Sequence, residues 1–323
     1  MKSIVCENYG PINNLKYKEM SPPILSDNDD VIIKVQSCGV NFPDGLLVQG
    51  KYQHKPQTPF IPGMEVSGVI TSLGSNVNEF SIGDKVAALT QLGGYTEIVK
   101  PTKESVYKMP TSMSYDNACA LLCAYGTSHY ALKQRARIKK KETLVVLGAS
   151  GSTGIAAIQI GKIYGARIIA ACSSKEKQNY CKNLGADICI GYDNLKNNLK
   201  ELTNGKGVDI VFDPVGGNLF EEASRALGRY GRILVIGFAS GEIPKFPVNL
   251  ALVKEFDVVG VFWGAFTRNN RREFQDNMKE LFKWYEMGLV SPKIEETFPL
   301  QDASNALTKI LNRGTLGKVI LKP

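Results

Sequence analysis

Leu144-Val-Val-Leu147 runs directly into Gly148-Ala-Ser-Gly-Ser-Thr-Gly154, and the reading of this stretch decides the fold. A four-residue apolar run is a buried strand. Downstream, Ala156, Ile160 and Ile163 recur at helical spacing. A glycine pattern alone is weak, but one that bridges a strand and a helix inside a strand–helix–strand unit is specific. Each glycine has its own task. Gly148 permits a tight turn, Gly151 lacks a Cβ and lets backbone approach a pyrophosphate, and Gly154 lets helix and strand pack closely. The helix start then offers unpaired N–H groups and the positive end of its dipole to an anion.

Outward from this loop, strands alternate with helices. Thr143–Leu147, Ile168–Cys172, Asp187–Ile190, Asp209–Phe212, Arg232–Ile236 and Asp257–Val261 read as strands. Such alternation implies a parallel sheet covered on both faces. Residues 1 to about 120 have a different texture. Val31-Ile-Ile-Lys-Val35, Val66-Ser-Gly-Val-Ile70 and Lys85-Val-Ala-Ala-Leu89 are short apolar or alternating runs, and Pro22-Pro23, Gly50, Pro62-Gly63, Gly74 and Gly83-Asp84 punctuate them. That part reads as a small barrel-like or sandwich domain. Beyond about residue 264 the pattern turns helical from Arg271 to Met287, then ends in the strand Gly317-Lys-Val-Ile-Leu321. This tail has no core of its own and is expected to pack back on the first domain. A length of 323 residues also favours two domains.

Hydrophobic residues make up 43% and charged residues 22%, enough for a large core without a disulfide or metal scaffold. The 39 Lys and Arg outnumber the 31 Asp and Glu, a net charge of +8 that favours anionic ligands, phosphorylated cofactors included. The densest basic stretch, Lys133 to Lys141, reads as a solvated helix end or a polyanion contact. Seven scattered cysteines without a CxxC fit reduced thiols and a cytoplasmic setting. No uncharged apolar run approaches the roughly 20 residues of a membrane helix.

The end of the second strand bears on which nucleotide binds. An acid there would hold a ribose 2′-hydroxyl, as in NAD enzymes. The chain has Cys172-Ser-Ser-Lys175, then Glu176 and Lys177. Small hydroxyls and lysines suit a 2′-phosphate, so Ser173, Ser174 and Lys177 point to NADPH. An ordinary helix cap with surface charge is the other reading. Glu176 pulls the opposite way unless it faces solvent from within the helix.

Further landmarks are Cys38-Gly-Val-Asn-Phe-Pro-Asp44, Gly50-Lys-Tyr52, Pro62-Gly-Met-Glu-Val-Ser-Gly68, Tyr125-Gly-Thr127, Leu184-Gly-Ala-Asp187, Asp213-Pro-Val-Gly-Gly217 and Gly317-Lys318. With the glycine loop they make the whole chain resemble a quinone oxidoreductase of the medium-chain dehydrogenase/reductase superfamily, the group that includes zeta-crystallin. The resemblance implies an α/β fold with a GroES-like β-rich catalytic domain (1–124), a doubly wound parallel-sheet Rossmann domain that binds NADPH (125–263) and a C-terminal return to the catalytic domain (264–323). It implies hydride transfer to a quinone or an activated alkene or carbonyl, with reduction of an enoyl-CoA ester as an alternative. Arg268, Arg271 and Arg272 are the cations a CoA ester would need. A cofactor-bound structural or RNA-binding protein is the reading of another class.

Zinc-dependent relatives use a Cys and a His, where this chain has Asn41 and Met64, and the four-cysteine structural lobe is missing, so no metal is expected. The resemblance places Asn41, Tyr52 and Asp44 in the catalytic site. The cofactor is expected on Thr127, on loop residues Gly148, Ser150, Gly151, Ser152, Thr153 and Gly154, on Ser173, Ser174 and Lys177, and on Tyr192, Gly237, Phe238, Phe262, Trp263 and Lys318. A capped turn stays open for Asn41 and Asp44, a packing aromatic for Tyr52, a core or dimer-seam role for Phe262 and Trp263, and a solvent-exposed lysine for Lys318. Glu65, in the Pro-Gly-x-Glu motif, reads as structural. Leu46 stands where some relatives carry a tyrosine. The expected partner is a small-molecule acceptor rather than nucleic acid or membrane, and relatives commonly form homodimers.

Overall fold

The computed structural model describes all residues, Met1–Pro323, as two units: Met1–Cys123 with Ser291–Pro323, and Ala124–Val290. In the first, β1 (Lys2–Val5) pairs antiparallel with β2 (Lys16–Glu19). β3 (Val31–Val40) leads through α1 (Phe42–Val48) to β4 (Glu65–Leu73). Pro43 is tolerated in α1 because the first helical turn has no intrahelical partner for its N–H groups. β5 (Lys85–Leu89), β6 (Ile98–Val99) and β7 (Val106–Lys108) follow, then α2 (Tyr115–Tyr130).

The second unit alternates regularly. β8 (Thr143–Leu147), α3 (Ser152–Ile163), β9 (Arg167–Ala171), α4 (Lys175–Asn183), β10 (Ile188–Ile190) and α5 (Leu195–Leu202) form one half. β11 (Val208–Asp213), α6 (Gly217–Ala226), β12 (Leu227–Val235), α7 (Asn249–Lys254) and β13 (Asp257–Gly260) form the other. The strands are all parallel, in the order β10-β9-β8-β11-β12-β13. Their apolar residues are buried on both faces, as in Leu144, Val145, Val146 and Leu147 of β8. The chain starts at β8, works outward, then crosses to β11. Such a reversal leaves a crevice at the carboxyl ends of these two strands, where ligands of doubly wound folds bind.

Two helices close this unit, α8 (Trp263–Asn269) and α9 (Arg271–Glu286). The sequence expectation ended the cofactor domain at 263 and assigned 264–290 to the returning tail. The structure assigns them to the second unit instead. The reason is an apolar stripe on α9. Phe274, Met278, Leu281 and Trp284 are buried, Phe274 meets Trp263 and Phe266 edge-on, and Trp284 lies against His129 and Tyr164. The return begins only at Ser291, with β14 (Ile294–Pro299), α10 (Ala303–Leu311) and β15 (Lys318–Lys322). β15 pairs antiparallel with β3, giving a sheet ordered β14-β15-β3-β4-β5-β7 with β6 attached to β3. Val31, Ile33, Val66, Val86, Ala306, Leu307, Val319 and Leu321 fill its core. Each of the Val, Ile and Leu side chains among them contributes about 1.5–3 kcal/mol on burial.

Candidate functional site

The glycine loop lies at the reversal of strand order. Gly148 leaves β8 with φ +58°, and a Cβ there would stand 3.0 Å from Val215 of the β11–α6 connection. At Gly154 a Cβ would fall 2.5 Å from Gly148 O, so close packing of α3 under the loop excludes any side chain. Gly151 is different. It caps α3 in extended conformation, and a Cβ there would meet only Gly148 O, at an ordinary 3.4 Å. Protein packing does not demand glycine at 151, and the bare backbone beside the α3 N-terminus fits the approach of a pyrophosphate. Ser150 is buried, while Ser152 and Thr153 open the helix. Ser128 Oγ lies 2.8 Å from Thr153 O and ties α2 to this turn.

Facing the loop, Asp213 ends β11. Its carboxylate accepts N–H bonds from Val215 (2.7 Å) and Gly216 (2.9 Å). Burial pushes its pKa up to about 6, although both N–H donors pull it down. The Gly148 backbone bonds the Tyr192 hydroxyl, and burial pushes that phenol up to about 12. Gly237 and Phe238 follow β12, where Gly237 N–H reaches Asp213 O and a Cβ on Gly216 would strike the Phe238 ring at 2.9 Å. Tyr192, Gly237 and Phe238 thus sit with the loop around one crevice.

At the end of β9, Ser173 is exposed. Ser174 caps α4, its hydroxyl accepting the Lys177 N–H at 3.3 Å. The capping alternative for Ser174 is therefore realised. Its hydroxyl hydrogen remains a donor. Glu176 is exposed within α4, as expected of a residue that does not face the strand end. Phe262 is 55% exposed and Trp263 half-buried. The Trp263 indole lies so close to Gly126 that a Cβ there would be 2.6 Å from it, and its N–H is buried without a partner. Thr127, next in α2, is half-buried beside it.

In the first unit the chain brings a polar group together inside the sheet. Asn41 ends β3 and caps α1. Its N–H donates to Asp44 Oδ2 at 2.8 Å, and the Tyr95 hydroxyl donates to the same oxygen at 2.9 Å. Asp44 is 1% exposed, and burial pushes its carboxyl up to about 7 against these two bonds. The Asn41 amide nitrogen donates to Glu65 Oε1 at 2.8 Å, its carbonyl accepts from Lys318 Nζ at 2.7 Å, and Lys318 also bonds Glu65 Oε1. Glu65 Oε2 accepts the Cys123 N–H at 2.7 Å. Tyr52 is half-buried on a separate small cluster of Cys6, Leu47, Val48 and Phe60.

Lys318 corrects an expectation. Read as a lysine reaching for cofactor, it is instead 2% exposed and pairs with a wholly buried Glu65. The only hint in the sequence was a lysine at the head of the apolar strand Val319-Ile-Leu321, which reads as solvated unless a buried acid meets it. Tyr95, after Gly93-Gly94, gave no such signal. No group of three or more His, Cys, Asp or Glu side chains is arranged to hold a metal ion.

Residues 27–111 match the alcohol dehydrogenase GroES-like domain, and residues 152–284 match the zinc-binding dehydrogenase family. The chain is 37% identical over 296 residues to a quinone oxidoreductase-like protein 2 homolog of Nematostella vectensis, covering 90% of this chain and 81% of that one. It is 32% identical to human quinone oxidoreductase over 327 residues, covering 99% and 97%. Among solved structures, Escherichia coli quinone oxidoreductase complexed with NADPH superposes with a TM-score of 0.93 at 26% identity, each chain covered completely.

Proposed function

Because this chain belongs to the quinone oxidoreductase-like group of the medium-chain dehydrogenase/reductase superfamily, we propose that it reduces a quinone or an activated alkene or carbonyl at the expense of NADPH. The chain is an NADPH-dependent oxidoreductase, and the acceptor class is the further step. The observation that carries the reading is the bare Gly151 backbone at the α3 N-terminus, in the crevice where the strand order reverses. The loop from Gly148 to Gly154 holds the pyrophosphate, and Ser173, Ser174 and Lys177 take the 2′-phosphate. Thr127, Tyr192, Gly237, Phe238, Phe262 and Trp263 line the rest of the cofactor.

When bound, the reduced nicotinamide supplies the hydride; the protein supplies position and electrostatics. In this reading Asn41 donates its amide N–H to the acceptor oxygen as negative charge grows there. Tyr52 offers a hydroxyl as hydrogen-bond donor or proton source. Asp44 fixes the backbone of Asn41 and the Tyr95 hydroxyl. Asn41 and Met64 replace the Cys and His of zinc-dependent relatives with poor zinc ligands, which supports a metal-free mechanism. The same reading makes the active form a homodimer.

The test is direct. Purified protein is titrated with NADPH and NADH, then mixed with a panel of quinones and enoyl-CoA esters while NADPH absorbance is followed. NADPH binds more tightly, and its oxidation requires a quinone or activated alkene. Failure to bind either dinucleotide, or no oxidation with any acceptor, overturns the reading. Loss of turnover on chelation of a divalent ion overturns the metal-free mechanism.

A further inference from the structure

We propose that Lys318 and Glu65 are positioning residues that lock the Asn41 amide with one N–H directed at the acceptor oxygen and strengthen it as a donor. The inference deepens the proposed function and rests on it. A wholly buried ion pair is an expensive device. Removing both charges often leaves a fold as stable or more so, and such a pair is therefore weak evidence for a stabilising role. The surrounding chain nonetheless makes room for it. A Cβ at Gly39 of β3 would fall 2.2 Å from Glu65 Oε1, so the residue beside the carboxylate must be glycine. Gly317 has φ +104°, and a Cβ there would strike Lys293 O at 2.4 Å, so the bend that delivers Lys318 also requires glycine.

What the pair touches is Asn41. An amide can be turned end for end, and here only one way is allowed. The carbonyl accepts from the Lys318 ammonium and the nitrogen donates to the Glu65 carboxylate. Turned over, NH₂ would face an ammonium and carbonyl would face a carboxylate. The second carboxylate oxygen is held by the Cys123 N–H, so Glu65 cannot swing away. Of the two N–H bonds on the Asn41 nitrogen, one serves Glu65 and the other remains for a ligand. Asn41 is half-buried, whereas Lys318 and Glu65 are enclosed. A cation on the amide oxygen draws electron density from the nitrogen and makes that N–H a better donor. Burial pulls the lysine toward neutrality, but Glu65 outweighs it and holds its pKa above the ordinary value, so the ammonium stays charged.

The double variant Glu65→Gln/Lys318→Met tests this. The introduced glutamine oxygen can still accept the Cys123 N–H, and its NH₂ meets the Asn41 carbonyl only once the Asn41 amide turns over, so the variant removes the cation and the lock on that orientation together. A pair with a purely scaffolding role predicts unchanged kcat in a folded variant. A positioning pair predicts a fall in kcat of about 10²-fold, the loss seen when one oxyanion donor is removed, with NADPH affinity unchanged by fluorescence titration. A kcat within about twofold of wild type, or a parallel loss of NADPH affinity, overturns the inference. Should the variant not fold, the wild-type protein decides by NMR of labelled asparagine. One Asn41 side-chain N–H must resist exchange and the other must shift when NADP⁺-loaded protein takes up a quinone; no shift overturns the inference. Inactive wild type sinks the proposed function itself, whereas active wild type with an equally active double variant sinks only the role of the pair.

Discussion

Asp44 is a carboxyl group enclosed by protein, and its protonation ties pH to stability. Its folded pKa is raised to about 7 from 3.8, chiefly by burial. Across that window the folded state keeps a proton that the unfolded state has released. Stability therefore falls as pH rises. The Asp44 contribution is complete below about pH 4 and gone above about pH 7. At about 1.4 kcal/mol per pKa unit, the effect is on the order of 4 kcal/mol. Asp213, raised to about 6, acts in the same direction, so the comparison must be differential. Asp44→Asn keeps an oxygen for the Asn41 and Tyr95 donors but cannot ionise. Melting temperatures measured from about pH 5 to 8 should fall more steeply for wild type than for this variant; parallel curves contradict the assignment. A second residue-scale test concerns the cofactor. Lys177→Glu should weaken NADPH binding at least about tenfold and leave NADH nearly unchanged, since only the former carries a 2′-phosphate; equal losses would refute that contact.

At the scale of elements, the strand–loop–helix unit separates glycines that serve packing from one that serves a ligand. Gly154→Ala places a methyl 2.5 Å from Gly148 O and should lower the melting temperature sharply. Gly151→Ala meets nothing closer than 3.4 Å, so it should fold like wild type yet bind NADPH at least about tenfold more weakly. Calorimetry of both variants, with NADPH titrations, checks the contrast; a Gly151→Ala protein with wild-type affinity would remove the pyrophosphate from that position. Much of this element was legible in the chain because glycine spacing and apolar runs are local signals. α3, α4 and α9 could be placed from periodicity and capping alone. The domain assignment of α9 could not. Its helical pattern is local, but whether its apolar stripe meets Trp263 and His129 or the returning tail depends on contacts far apart in sequence. The same holds for Lys318. A lone lysine before an apolar strand looks solvated until Glu65, 253 positions earlier, is known to lie against it.

For the molecule as a whole, one surface of the second unit is left apolar. β13 ends the sheet order, so one side of its backbone lacks a neighbouring strand, and an open edge of this kind templates pairing with another chain. Beside it α7 exposes side chains that a solvated helix would not. Leu252 is 80% and Val253 76% exposed, and Val258 on β13 is 43% exposed. An edge strand brought against its own copy by a two-fold axis pairs antiparallel, and the same axis places each α7 near the facing edge. The occupant we expect is therefore a second copy of this chain. Sedimentation should show a dimer for wild type. Leu252→Asp combined with Val258→Lys should yield a monomer with an unchanged circular dichroism spectrum, because both side chains face solvent within one chain. Wild-type monomer, or a double variant that still dimerises, would rule out this edge as the seam. If the variant is monomeric but keeps NADPH affinity, the dinucleotide site is complete within one chain, and the contacts at the β8–β11 crevice need nothing from the partner.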